Sequence, residues 1–203
     1  MGDEQFTPSI WTAPEPCVGR VLVLPGEGYT VDHPVLFWAC HVADSAGWQV
    51  ATMRWQIESN SSDSPTAFVE RGADILDAAA PGAGRTVVIA KSLGTLAVRW
   101  ANQHAYPGVW LTPLLNDQGV RTALTDSPIA LIAGGTNDRY WNRDVAGSLG
   151  CDVIEIERAG HALTVAGDWR ASLAGLTTTL TAIETFLARV ARTTVTGGRS
   201  HSR

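Results

Sequence analysis

The chain has 203 residues, 45% of them hydrophobic and 17% charged, which is enough apolar material for one ordinary domain. That balance excludes a disordered or fibrous chain. A net charge of −5 argues against a nucleic-acid binder that works through a basic face, and Lys91 is the only lysine beside 14 arginines.

Residues 1–19 carry three prolines and little periodicity, so they read as an extended arm laid on the domain. RVLVL (20–24) is a strand closed by Pro25-Gly26. Asp32-His33-Pro34 then reads as a helix start, with a proline suited to the first turn and an apolar face including Val35, Trp38 and Val42. Gly47 stops that helix, and WQVATMRW (48–55) is the next strand. Ser64-Pro65 opens a helix carrying Phe68, Ile75 and Leu76 to a stop at Pro81-Gly82. RTVVIA (85–90) is a strand, and Leu93, Leu96, Ala97 and Trp100 follow at helical spacing. GVWLT (108–112), PIALIA (128–133) and CDVIEI (151–156) are three further strands. Leu173, Leu176, Leu180, Ile183, Leu187 and Val190 draw the apolar stripe of a final helix. Residues 193–203 form a flexible tail with few apolar anchors.

Strands that are apolar throughout suggest burial on both faces, the pattern of parallel strands with crossover helices. The expected architecture is one three-layer α/β/α domain over 20–192, with about six mostly parallel strands. Its active groups would sit on loops at the strand C-termini. Cys17, Cys40 and Cys151 are odd in number and widely spaced, so neither a disulfide framework nor a metal site is expected. Buried thiols in a reducing compartment are the simplest reading. The acidic N-terminus has no apolar signal segment, and no run approaches the ~18–20 apolar residues of a membrane span. A soluble cytoplasmic protein is the expectation, without nucleic-acid or membrane partners.

The sharpest local signal is Ala90-Lys91-Ser92-Leu93-Gly94, a strand running directly into a helix. It reads A-x-S-x-G, one residue from the G-x-S-x-G turn that exposes a serine nucleophile between small neighbours. The bland alternative is a helix N-cap. A serine nucleophile needs a base, and that base needs an acid to orient it. In one triad order the acid and then the histidine follow the serine. His33 and His41 precede Ser92, His104 lies on the following helix and His201 in the tail, which leaves His161 after the last strand. Asp138, after Gly134-Gly135, is the first candidate acid and Asp117 the reserve; Asp144 and Asp152 are worse placed. An anion site could use the Leu93 N–H together with that of Glu27 or Gly28, in the glycine-rich loop after the first strand. Two phosphate-binding readings fail. Val31 occupies the third glycine position of a dinucleotide fingerprint, and Arg85 and Ala90 occupy both glycine positions of a P-loop.

Taken together, PGEGYTVDHP, AKSLGT, GGTNDRYW and RAGHAL resemble the compact bacterial serine hydrolases of the α/β-hydrolase superfamily, over roughly residues 20–190. The resemblance implies a minimal α/β-hydrolase fold with Ser92 as nucleophile, His161 as base and Asp138 as acid. It also implies an oxyanion hole from Glu27 or Gly28 and Leu93. The chain departs from the pattern at Ala90 and at Pro25, where many members have glycine and histidine. No insertion of tens of residues lies between 112 and 128, so no cap domain is expected. An open site favours a small acyl substrate, with Tyr29, Trp110, Leu114, Tyr140 and Trp141 as candidate lining and Lys91 as an attractor of anionic groups at the mouth. Asp32 and His33 either border that entrance or cap their helix. No metal or organic cofactor is called for, and a monomer or weak homodimer would suit. The alternatives are a non-catalytic ligand-binding or scaffold protein on the same fold, and a lyase using the same three residues.

Overall fold

The computed structural model describes residues 4–57, 63–80, 82, 84–127 and 129–193. Pro81, Pro128 and the tail from residue 194 on, with His201, therefore lie outside the described residues. Seven strands form one sheet: β1 (Phe6–Thr12), β2 (Arg20–Leu24), β3 (Gln49–Trp55), β4 (Thr86–Lys91), β5 (Gly108–Leu111), β6 (Ala130–Gly135) and β7 (Asp152–Ile156). Their order across the sheet is β1-β3-β2-β4-β5-β6-β7, with β1 antiparallel to β3 and all other neighbours parallel.

The helices are α1 (Pro34–Ser45), α2 (Pro65–Ala79), α3 (Val98–Gln103), α4 (Gln118–Thr125), α5 (Arg143–Ser148) and α6 (Trp169–Arg192), with a 3-10 turn at Ser92–Ala97 before α3. Alternation along each strand sorts side chains between two layers. Val21, Val23, Val87 and Ile89 join α1 and α6 residues such as Leu36, Cys40, Ile183 and Phe186. Leu22, Leu24, Val88 and Ala90 join α2, α3 and α4 residues such as Leu76, Trp100 and Leu124. Both faces of β2, β4, β5 and β6 are covered, which is why these strands read as apolar runs, whereas the edge strand β7 leaves Asp152 and Val153 exposed. The three-layer expectation holds, with seven strands rather than six.

The strand added to the expected six is β1, within the expected arm. FTPSIWT pairs with β3 from Phe6↔Trp55 to Thr12↔Val50. Pro8 cannot donate to a ladder, and an edge position tolerates it. Phe6 buries its ring 4.7 Å from that of Phe68, over the bare Cα of Gly72 on α2. Any Cβ at Gly72 would lie 2.9 Å from the Phe6 ring, so the glycine makes the seat for the strand.

The strand order reverses between β2 and β4, where one crossover leads toward β3 and the other toward β5. Open parallel sheets bind ligands at such a reversal, outside the strand C-termini. The loop after β2 and the turn after β4 meet there.

If β1 is part of the sheet, Phe6→Ala should lower unfolding stability by about 3 kcal/mol, the usual loss for truncating a buried phenylalanine. Urea denaturation with an unchanged m-value checks this. An arm merely lying on the surface would give a loss near zero.

Candidate active site

Ser92 follows β4 directly and takes φ 51, a left-handed conformation that a non-glycine residue adopts only when its surroundings enforce it. The enforcement is visible at Gly94. A Cβ there would lie 2.7 Å from the Pro25 carbonyl oxygen and 2.9 Å from that of Leu24. The turn is pressed against the end of β2, and no side chain fits between. The hydroxyl of Thr95 donates to the Ser92 carbonyl at 2.6 Å, while the Leu114 N–H donates to the same hydroxyl oxygen at 3.4 Å. Ala90 is fully buried and paired with Leu24, so its methyl is absorbed into the core below the turn. Ser92 does not cap the helix; its hydroxyl points across to His161.

The three polar side chains expected to act together meet in one line. His161 Nε2 lies 2.7 Å from Ser92 Oγ, and His161 Nδ1 lies 2.7 Å from Asp138 Oδ2. A carboxylate only accepts, so Nδ1 carries the proton and Nε2 is left to accept from the serine hydroxyl. The Asp138 side chain is fully buried, whereas the His161 side chain is 34% exposed. Asp138 Oδ1 also accepts the Tyr140 N–H at 3.0 Å, so both carboxylate oxygens are engaged. The reserve acid Asp117 is occupied elsewhere. It caps α4 by accepting the Val120 N–H at 3.0 Å.

Two loops must be in register for this line to form, and Gly135 provides for it. A Cβ at Gly135 would lie 2.1 Å from the Ala159 carbonyl oxygen. That contact lets the histidine loop lie directly on the end of β6, where the Asn137 N–H donates to the Ala159 carbonyl at 2.9 Å. The Arg158 N–H adds a bond to Thr136 Oγ1 at 2.7 Å. The histidine loop closes on itself through Gly160 N–H to the Thr164 carbonyl and Leu163 N–H to the Gly160 carbonyl, both at 2.9 Å.

The loop after β2 curls at Gly26, whose N–H donates to the Tyr29 carbonyl at 3.0 Å, and Gly28 has φ +65. A Cβ at Gly26 would lie 3.2 Å from that of Ser92, which places this loop beside the nucleophile position. Trp55 braces it from β3 through an indole N–H to Gly26 carbonyl bond of 3.4 Å. The N–H groups of Glu27 and Gly28 have no acceptor among the described residues. Leu93 N–H lies in the first turn after Ser92, where a helix leaves its donors without internal partners. The three candidate donors thus sit on the two loops that flank Ser92.

The expected lining divides. Tyr140 sits at the rim with its ring 5.0 Å from the His161 ring, and Leu114 follows β5 beside the turn. Tyr29 turns inward: its hydroxyl accepts the Val35 N–H at 3.2 Å, its ring stacks on His33, and burial raises its pKa. Trp110 does not reach the site. Its ring folds back over Gly108, on the same face of β5 and toward the far end of the strand, and is 1% exposed. Trp141 lies flat against Gly134 and donates its indole N–H to Glu155 at 2.8 Å, away from the serine. The placement of Lys91 at the mouth is also corrected. Period-two alternation puts Lys91 on the Val87 and Ile89 side of β4, and its side chain is buried. Its ammonium donates to Thr112 Oγ1 at 2.9 Å and to the His161 carbonyl at 2.8 Å, and lies 4.3 Å from the centre of the Tyr29 ring. Desolvation lowers its pKa to about 8, opposed by the attraction of Asp138. Thr112, Thr95 and Trp55 were not singled out in the sequence, because a hydroxyl or indole on a strand end carries no motif.

His33 stands at the N-cap position of α1, but neither its side chain nor that of Asp32 accepts from the helix's N–H groups. The imidazole accepts the Thr30 N–H at 3.0 Å, and Asp32 pairs in two-pronged fashion with Arg54, which holds its carboxyl below the usual range. Cys40 is buried in the core and its thiol is pushed up to about 12, Cys151 is half-buried, and Cys17 is exposed. No group of three or more His, Cys, Asp or Glu residues among the described ones could hold a metal ion. Among the described residues no helix is long and apolar enough to cross a membrane. Each crossover between β5 and β7 carries one short helix, so nothing described there forms a cap over Ser92.

No family model matches the chain, and no curated protein matches it in sequence. Its fold is nonetheless shared by solved structures. An α/β-hydrolase-type protein of unknown function from Agrobacterium tumefaciens superimposes with a TM-score of 0.70 at 13% identity, over 91% of this chain and 90% of that one. Est1E from Butyrivibrio proteoclasticus, in a structure with ferulic acid bound, gives 0.69 at 12% identity, over 93% and 96%. A serine hydrolase without a lid from Xanthomonas campestris gives 0.68 at 13% identity, over 93% and 91%. At such identities the likeness is one of fold, and that fold is the lidless α/β-hydrolase fold.

The buried lysine gives a test of these electrostatics. Between pH 8 and 10.5 the unfolded chain holds a proton that folded Lys91 has shed, so wild-type stability should rise relative to Lys91→Met across that window. The cost of burying the charge is fully present below pH 8 and is relieved by about 3 kcal/mol toward pH 10.5. Urea unfolding of both proteins across pH 7–10.5 would read the difference; a constant gap would mean that the amine titrates as in water.

Proposed function

We propose that this chain, which has the lidless α/β-hydrolase fold, is a serine hydrolase acting on a small carboxylic ester or related acyl compound. The observation that carries the reading is the continuous line from Ser92 through His161 to buried Asp138, aimed from a serine in a left-handed turn. A hydroxyl meant only to cap a helix has no use for an oriented imidazole.

In the proposed reaction His161 Nε2 takes the Ser92 proton as Oγ attacks the substrate carbonyl. Asp138 keeps Nδ1–H directed and stabilises the imidazolium that forms. The oxyanion is received by Leu93 N–H and by Glu27 or Gly28 N–H. His161 then returns the proton to the leaving group, and a water activated by the same imidazole hydrolyses the acyl-enzyme. These steps use only side chains and backbone of the chain. The half-exposed imidazole and the lack of a cap suit an acyl group that projects into the site rather than a long chain needing a tunnel. Est1E, which holds ferulic acid, lends some support to an aromatic acid with Tyr140 beside it.

A fluorophosphonate probe read by intact mass should add one adduct to the wild type and none to Ser92→Ala. Short-chain p-nitrophenyl esters should be turned over by the wild type. Ser92→Ala and His161→Ala should each lose at least ~10³-fold in kcat with KM little changed, and Asp138→Asn on the order of 10⁴-fold. A folded wild type that neither labels nor hydrolyses any ester would leave a binding protein on this fold.

A further inference from the structure

We propose that Lys91 is a positioning residue of this site: its buried ammonium ties the histidine loop and the Thr112 turn to the strand that carries Ser92, and so sets the imidazole against the serine. The inference rests on the serine-hydrolase reading.

The argument begins with what holds His161. Its ring is fixed at both nitrogens, but its backbone is not part of any ladder. Among the described residues the His161 carbonyl accepts a single hydrogen bond, from Lys91 Nζ at 2.8 Å. The loop's other bonds run within it, from Gly160 N–H to Thr164 and from Leu163 N–H to Gly160, or to the end of β6, through Asn137 N–H to the Ala159 carbonyl and Arg158 N–H to Thr136 Oγ1. They shape the loop without joining its tip to β4. Lys91 makes that connection across 70 positions of chain, from the residue next to the nucleophile. A shift of the serine strand and a shift of the histidine are thereby coupled.

The second anchor is Thr112. This β-branched residue holds φ 44 at the end of β5, a region such residues avoid, and its hydroxyl accepts from Lys91 Nζ at 2.9 Å. The third is the Tyr29 ring, 4.3 Å from Nζ, on the loop that carries Glu27 and Gly28. One cation therefore touches the loops after β2, β5 and β7 from its seat at the end of β4. The titratable groups facing it are His161, Asp138 and Tyr29; Asp138 attracts the ammonium, and among the described residues no carboxylate pairs with it directly. An apolar side chain would fill the same space at lower desolvation cost. What it could not supply is donors to two acceptors on separate loops.

Substrate cannot touch a side chain that is 1% exposed, so the expected signature is a loss in kcat without a matching change in KM. Misplacing a reacting group by about 1 Å costs ~10²-fold. Lys91→Met should therefore lower kcat about 10–100-fold, with KM within about threefold and a proportionally slower fluorophosphonate reaction. Thr112→Val should show a smaller loss of the same kind, and Thr112→Ser, which keeps the hydroxyl, should restore most of it. Because Lys91 is the only lysine, ¹³Cε-lysine labelling gives one side-chain signal, and phosphonylation of Ser92 should move it. If Lys91→Met does not fold, the Thr112 pair carries the test. A wild type that hydrolyses esters while both the Lys91 and Thr112 variants keep kcat within twofold would overturn the positioning role and leave the hydrolase standing. A loss appearing in KM instead would overturn it too, by placing the lysine against substrate. A wild type that neither labels nor turns over would remove the underlying reading itself.

Discussion

The close approach of the turn after β4 to the end of β2 is the constraint on which the site depends. Gly94 gives up its side chain so that the backbone can press on the Leu24 and Pro25 carbonyls. That contact leaves Ser92 no alternative to positive φ, and positive φ lifts its hydroxyl out of the sheet and above the strand ends. The same contact brings Gly26 beside Ser92, so the proposed nucleophile and the candidate oxyanion donors are placed by one piece of packing. Parallel order supplies the rest: the turn stands at the strand reversal, where the loops diverge and leave a crevice.

Everything else in the site is brought to this fixed point. Gly135 performs for Asp138 and His161 what Gly94 performs for Ser92, admitting the Ala159 carbonyl where any Cβ would collide. In both places a bare Cα allows two stretches of backbone to lie in direct contact. Such contacts are geometrically stiff, because backbone cannot swing away as a side chain can. The rim is held by softer means. Arg139 covers the Tyr140 ring from solvent, so this part of the entrance can adapt at little energetic cost.

Much of this arrangement was legible in the sequence, for identifiable reasons. Two-sided burial makes parallel strands read as apolar runs, and the turn after β4 demands small residues, so RTVVIAKSLGT announces both a strand and its turn. Elimination among five histidines singled out His161 because the others lie before the serine, on the following helix or in the tail. What misled was direction. Trp110 and Lys91 are both on strands that end at the site, yet the first folds back over Gly108 and the second is drawn inward to acceptors contributed by distant loops. Neither partner can be inferred from local sequence. The arm is a related case: FTPSIWT is short, interrupted by Pro8 and without clear periodicity, so nothing local marks it as a strand until β3 is present to pair with it.

The charge under the site shows how stability and placement are traded here. Stability alone would fill the space at the end of β4 with another valine or isoleucine, as at Val87 and Ile89 on the same face. The chain instead uses its single lysine, with an ammonium whose pKa is lowered by desolvation and whose bonds go to loops rather than to the strands beneath. Those loops are tied within themselves and to their neighbours, through bonds such as Asn137 N–H to the Ala159 carbonyl and Thr112 N–H to the Ala133 carbonyl, but among the described residues the His161 carbonyl has Lys91 as its one donor. A cation with several donors can bridge acceptors that no apolar side chain would hold, and burial strengthens each of its bonds. The cost of desolvation and the precision of the histidine thus arise from the same low-dielectric seat, and lowering the first by substitution would loosen the second.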